Sequence, residues 1–130
     1  MKFARIVFLI AGIYGLLIIA PLFVAEGVIN ATTPPAITHP EYYYGFAGVT
    51  LAWQVLFLLI ARDPARYRNI MLVAALEKAS GIVFIALVLL HRSPPSMLIG
   101  IVDVMLGILF LIAYSRTAEN KGQQTAVAHS

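Results

Sequence analysis

Four long apolar runs divide this chain, and each is broken near its middle by a polar or charged residue. The runs cover residues 3–25, 43–61, 69–90 and 95–114. A helix crossing about 30 Å of hydrocarbon needs about 20 mostly apolar residues, and each run has roughly that length. Helix breakers fill the joints: Thr33-Pro34-Pro35 with His39-Pro40, then Asp63-Pro64, then Ser93-Pro94-Pro95. Ser93 ahead of proline suits an N-cap and the first turn of the fourth helix. The pattern predicts an all-α polytopic membrane protein, a four-transmembrane-helix bundle occupying residues 1–114. Residues 115–130 are polar without periodicity and are expected to form a disordered tail. Pro21 lies inside the first run, removes one helical hydrogen bond and predicts a kink there. Neither an internal repeat nor a heptad seam is present.

The first run has the outline of a signal peptide, because Lys2 and Arg5 precede it. It is too long for one, and Phe23-Val24-Ala25 puts a bulky residue where cleavage needs a small one. It reads as a retained helix.

Composition supports the membrane reading. Of 130 residues, 61% are hydrophobic and only 12% are charged, against about 25% charged in a soluble domain. Cysteine is absent, which excludes disulfides, thiolate metal sites and cysteine nucleophiles. The formal charge of +3 does not point to nucleic acid, because the basic residues sit at helix ends. Lys2, Arg5, Arg62, Arg66, Arg68, Arg116 and Lys121 fall on one side of the layer; only Arg92 falls on the other. The positive-inside rule then places both termini in the cytoplasm, with the protein multi-pass in the inner (plasma) membrane. Tyr42, Tyr43, Tyr44 and Phe46 are expected in an outer aromatic belt, with Tyr67 and Tyr114 at the inner interface.

The candidate chemistry lies at mid-depth. At 1.5 Å per residue, Tyr14, Gln54, Glu77, Lys78 and Asp103 all fall about 12–16 Å from a helix end, near the midplane. Ionisable groups there are costly, so they face protein or water and mark a functional-site hypothesis. Two central charges cost the third helix about 5–7 kcal/mol, and its twelve Ile, Leu, Val and Phe residues return about 4–7 kcal/mol. That helix therefore depends on its neighbours. Glu77 and Lys78 are adjacent, point about 100° apart and are not expected to pair with each other. Asp103, on the antiparallel fourth helix, is the expected partner of Lys78. Gly100 and Gly107 share a face with Asp103, and Ala74 and Gly81 share one with Lys78. Such small residues let backbones approach closely. Glu77 is then left to face Gln54, Tyr14 or a cavity. The cluster reads either as structural glue that fixes bundle register or as a ligand- or proton-binding site. Trp53 reads as packing. Ala11 with Gly15, and Gly45 with Gly48 and Ala52, suit tight packing or self-association.

Other signals are weaker. Glu26, His39, Glu41 and His91 share the outer loops, yet their spacing matches no known metal-ligand pattern, and no metal or cofactor is assigned. Asn30-Ala31-Thr32 matches a glycosylation acceptor, which has meaning only in a eukaryotic secretory pathway. Arg62, Arg66 and Arg68 set topology and can touch anionic lipid. No Ser/His/Asp arrangement, H-E-x-x-H motif or phosphate-binding loop occurs.

The segments Ala61-Arg62-Asp63-Pro64-Ala65-Arg66-Tyr67-Arg68, Leu76-Glu77-Lys78, and Val102-Asp103 with Leu106-Gly107-Ile108-Leu109-Phe110 resemble small uncharacterised bacterial membrane proteins of the DoxX-like and BphX-like groups. The resemblance runs from Gly45 to Thr117. It implies a four-helix bundle of unknown biochemistry, sometimes associated with oxidative or aromatic-degradation contexts, and brings no agreed catalytic residues. The leading expectation is a non-enzymatic protein that binds a small amphiphile, such as a lipid or quinone, or serves as accessory subunit of a membrane complex or homo-oligomer. Its rivals are a membrane-embedded enzyme that moves a proton with Glu77 or Asp103 and a small proton-coupled transporter subunit. The lack of visible repeats or broken helices counts against the last.

Overall fold

In the computed structural model, the backbone is described for residues 2–92 and 97–128, and side chains as far as Thr117. The expected N-cap at Ser93 and the start of the fourth run at Pro95 lie outside the described residues. Helix α1 (Lys2–Ile19) continues as a 3-10 segment (Ala20–Val24), and a short α2 (Glu26–Thr32) follows. Then come α3 (Pro40–Arg62), α4 (Arg68–Lys78), α5 (Ser80–Leu89) and α6 (Met97–Ala128). There is no strand among the described residues. Four stretches are long and apolar enough to cross a membrane: Lys2–Val24, Pro40–Arg62, Arg68–Leu89 and Met97–Thr117. Each lies within a few residues of the run that predicted it.

The departures have local causes. Pro21 has no N–H, and the first helix tightens into 3-10 geometry where the proline sits. The loop after it is more ordered than its prolines suggested. Asn30 Oδ1 accepts the Ile37 N–H at 2.7 Å, folding the segment beyond α2 back on itself. The third span changes pitch at Ala79. Its N–H is shared between the Ala75 and Leu76 carbonyls, both at 3.1 Å, and the Ile82 N–H reaches the Ala79 carbonyl at 3.0 Å, a tighter i→i−3 bond. The last helix does not stop at Tyr114 but runs to Ala128. Ala, Glu, Lys and Gln are good helix formers, so polarity alone gives the backbone no reason to break its ladder.

Two joints are well made. In the Asp63-Pro64 turn, Asp63 Oδ1 accepts the Arg66 N–H at 3.3 Å and the Asp63 carbonyl accepts the Tyr67 N–H at 3.2 Å. Helix α5 ends with His91 at φ 55, a position that usually takes glycine. The Arg92 N–H bonds the Leu87 carbonyl and the His91 N–H the Val88 carbonyl, so the last carbonyls are satisfied in a Schellman motif.

The bundle is closed at one end and open at the other. Helix α1 packs along α3, α6 packs along α4 and α5, and α1 also meets α6. Among the described residues, α5 approaches only α4 and α6. At the end carrying Lys2, Arg62, Arg68 and Thr117, Phe8, Phe57 and Phe110 are fully buried with Ile60, Met71, Ala74 and Ala113. Phe8 stacks on Phe110 at 4.1 Å between ring centroids, and Phe57 meets Phe110 edge-on at 5.0 Å. Each such pair contributes about 0.5–1.5 kcal/mol beyond its contact area. In the opposite half, Ile19 and Ala47 are the only buried hydrophobic residues among those described. Leu17, Val49, Leu76 and Leu98 point outward and are mostly exposed. Helices apolar on nearly every face are what a lipid-facing bundle requires.

Candidate functional site

The charged residues sit at the boundary between the closed and open halves. Lys78 ends α4 with its side chain only 6% exposed. Its ammonium donates to Asp103 Oδ1 on α6 at 3.2 Å, the pairing expected from their depths. Small residues make that approach possible. A Cβ on Gly81 would lie 2.6 Å from the Gly100 carbonyl oxygen and 2.8 Å from Asp103 Cβ, so α5 and α6 meet backbone to backbone there. Gly107 gives Lys78 room in turn, since a Cβ on it would lie 3.3 Å from Lys78 Cβ.

One sequence expectation needs correction. Glu77 and Lys78 do associate, with Glu77 Oε2 3.6 Å from Lys78 Nζ. The helical angle between adjacent positions describes Cβ directions, and a four-carbon lysine stem is long enough to swing its ammonium back across it. The separation makes an ion pair but is too long for a well-formed hydrogen bond. Lys78 Nζ also stands 5.2 Å from the centroid of the Phe57 ring, so the aromatic plug forms the underside of the charged floor.

Gln54 is buried on α3, 1% exposed. Its Nε2 donates to the Thr50 carbonyl of its own helix at 3.0 Å. Its Oε1 lies over Gly15 of α1, where an added Cβ would come within 1.7 Å of it. Glycine at position 15 is what admits this side chain between the helices. Among the described residues, neither Gln54 Oε1 nor Glu77 Oε2 has a hydrogen-bond partner. A buried acceptor left unmade costs about 1–3 kcal/mol, more if charged.

Above this floor lies a cavity of about 200 Å³. Tyr14, Gln54, Glu77, Lys78 and Asp103 all line it, so the structure gathers every residue of the predicted cluster. Thr50 and Ser80 also line it and were not anticipated. Thr50 lies one turn from Gln54 on α3, a spacing that would have placed it on the same face. Leu22, Phe84, Ile18, Phe46 and Ile99 supply most of the apolar wall. Ile18, Phe46 and Ile99 are each close to half exposed, so the cavity opens sideways through the apolar surface.

At the open end, Tyr43 and Tyr44 turn inward rather than lining up with Tyr42 at the surface. The Tyr43 hydroxyl donates to the Leu22 carbonyl and the Tyr44 hydroxyl to Glu26 Oε2 at 2.7 Å. They tie the 3-10 segment and α2 onto α3. Tyr67 and Tyr114 are half-buried at the closed end. The Arg68 guanidinium lies 3.7 Å from the Tyr114 ring centroid and its Nε donates to the Tyr114 carbonyl at 3.3 Å. Arg116 covers Phe3 at 4.3 Å. His39 Nδ1 and Glu41 Oε1 meet at 3.1 Å at the exposed start of α3, while Glu26 bonds Tyr44 instead. Among the described residues, no three His, Asp or Glu side chains gather so as to hold a metal ion.

These features define a class: a helical bundle of membrane-spanning dimensions, solid at one end and open at the other over a charged floor. Comparison of the chain with protein-family models, with curated proteins and with solved structures finds no match in any of the three.

Proposed function

We propose that this chain is an inner-membrane protein with both termini cytoplasmic that binds a small amphiphile, its head group on the floor formed by Glu77, Lys78, Asp103 and Gln54. The observation that carries this reading is the cavity itself. It combines a buried polar base, apolar walls and a lateral mouth at the level where hydrocarbon tails would lie. Its volume of about 200 Å³ is below the roughly 300–1,000 Å³ of a drug-sized pocket. It suits a head group and the start of a chain, with the tail left among the lipids. Structural glue needs Lys78 and Asp103 alone; it gives no reason for Gln54 and Glu77 to face an opening. No catalytic residue is assigned.

A second reading, a small transporter subunit, gains from one observation. The pitch of the third span changes at Ala79, directly after the two charges, and broken helices beside a binding site are a feature of transporters. Membership of the DoxX-like and BphX-like groups is likewise our proposal. It rests on the short segments around Asp63, Lys78 and Asp103 alone.

Native mass spectrometry of protein released from mild detergent tests the binding reading. A co-purified mass retained by the unaltered chain and lost from Glu77→Gln supports it. A bare chain that also binds no added single-chain amphiphile overturns it. Since the chain has no cysteine, Thr33→Cys and Ser115→Cys report orientation. An impermeant maleimide applied to intact cells should label position 33 and spare position 115.

A further inference from the structure

The geometry points to a cationic, hydrogen-bond-donating head group, a lipophilic primary or secondary amine, as the chemical class this cavity takes. This inference rests on the amphiphile-binding reading and narrows it. The free valences decide the class. Among the described residues, the two buried polar side-chain atoms without a hydrogen-bond partner are Gln54 Oε1 and Glu77 Oε2, and both are acceptors when Glu77 is ionised. Gln54 is 1% exposed and lines the cavity. One of its two amide N–H groups is committed to the Thr50 carbonyl at 3.0 Å, and its carbonyl oxygen has no donor.

Charge points the same way. Lys78 is the only cation among the lining residues, and two carboxylates share it, Asp103 at 3.2 Å and Glu77 at 3.6 Å. With all three ionised, the floor carries one negative charge in excess. An anionic head group would bring a third negative charge to the single ammonium and face two acceptor oxygens that already lack a hydrogen bond. A neutral carbonyl head group would draw on the Tyr14, Thr50 and Ser80 hydroxyls and leave Gln54 Oε1 and Glu77 Oε2 without donors. An alkylammonium supplies two or three N–H donors and the missing positive charge. It has an N–H for each of Glu77 Oε2 and Gln54 Oε1, and its chain would leave past Ile18, Phe46 and Ile99. A quaternary ammonium has the charge but no N–H, so it answers only half of the site.

The test is a head-group series on one chain length. Protein in nanodiscs of neutral phosphatidylcholine is titrated at pH 7 with dodecylamine, dodecyltrimethylammonium, dodecanol and dodecanoate. Binding is counted above that to empty nanodiscs. Dodecylamine should saturate at one per chain and bind at least tenfold more tightly than each of the other three. Glu77→Gln should weaken dodecylamine at least tenfold, and Gln54→Met should weaken it severalfold. Gln54→Met serves as the second variant should the first fold poorly. Equal saturable binding of all four, or preference for dodecanol or dodecanoate, overturns the cationic class and leaves the amphiphile reading standing. Preference for dodecyltrimethylammonium overturns the role of the N–H donors. No saturable binding by any of them overturns both readings.

Discussion

Replacing Lys78 with methionine should damage the bundle more than replacing its partner Asp103 with asparagine, although each change breaks the same 3.2 Å bond. The reason is the unequal sharing of charge. Lys78 has a second carboxylate at 3.6 Å in reserve. Without Asp103, the ammonium keeps Glu77 and loses one charge-assisted bond, worth about 1.5–3 kcal/mol. Without Lys78, two carboxylates face one another with no cation, and removing one partner of a buried ion pair costs about 3–5 kcal/mol. At an effective dielectric of about 20, each ion contact carries about 5 kcal/mol of attraction before desolvation is subtracted. Losing two contacts thus outweighs losing one. Ordinary hydrogen bonds between membrane helices contribute only about 0.6 kcal/mol, because the unfolded chain also finds partners in the lipid. A stranded pair of carboxylates has no such substitute. The assay is reversible unfolding in mixed micelles of mild detergent and dodecyl sulfate, followed by circular dichroism. Lys78→Met should be less stable than Asp103→Asn by about 2 kcal/mol, the difference between the middles of those two ranges. Equal losses, or the reverse order, would show that Glu77 gives Lys78 no support and would refute the three-residue floor.

The same assay separates glycines that are needed from glycines that are not. Gly81→Ala should cost about 1–3 kcal/mol, because its new Cβ would meet the Gly100 carbonyl at 2.6 Å and neither backbone can yield without parting α5 from α6. Gly48→Ala should be neutral or stabilise by up to about 1 kcal/mol, since nothing lies within 4 Å of its Cβ position. Gln54→Met should leave stability unchanged or raise it by up to about 1–3 kcal/mol, the cost of the unpaired buried acceptor it removes. A clear loss would mean that the Gln54 bond to the Thr50 carbonyl outweighs the cost of its stranded oxygen.

The spans were legible because the bilayer sets their length, and the four runs have no other economical reading. The polar cluster was legible because charges at mid-depth have few places to hide. The pairing of Lys78 with Asp103 followed from depth, and the glycines that admit it followed from the helical faces they share with those two residues. The sequence could not show that the packing is uneven. Phe8, Phe57 and Phe110 become a plug, while Phe46 and Phe84 become cavity walls, and nothing in composition distinguishes the two groups. That outcome depends on how the helices splay, a tertiary property. The Glu77 contact was misjudged because Cβ directions say little about where a lysine ammonium ends. The Tyr43 and Tyr44 bonds to the first loop were hidden because an interfacial tyrosine and a tyrosine latch have the same sequence signature.

The uneven packing bears most directly on function. Had the polar cluster evolved only to hold helices in register, it would sit best inside the plug, where aromatic and aliphatic side chains exclude competing partners. It lies instead on the upper surface of the plug, under the open half. There Gly15 gives up contact area so that a glutamine can lie across it with its carbonyl unsatisfied. Methionine would fill the same volume with no stranded acceptor. Sequences break local rules of this kind chiefly at sites where something else is being optimised. Here two rules are broken within one cavity, an amide oxygen and a carboxylate oxygen that both lack a hydrogen bond, and one ammonium with an N–H for each would repair both. A purely structural cluster has no need of that coincidence; a site built to receive a donor does.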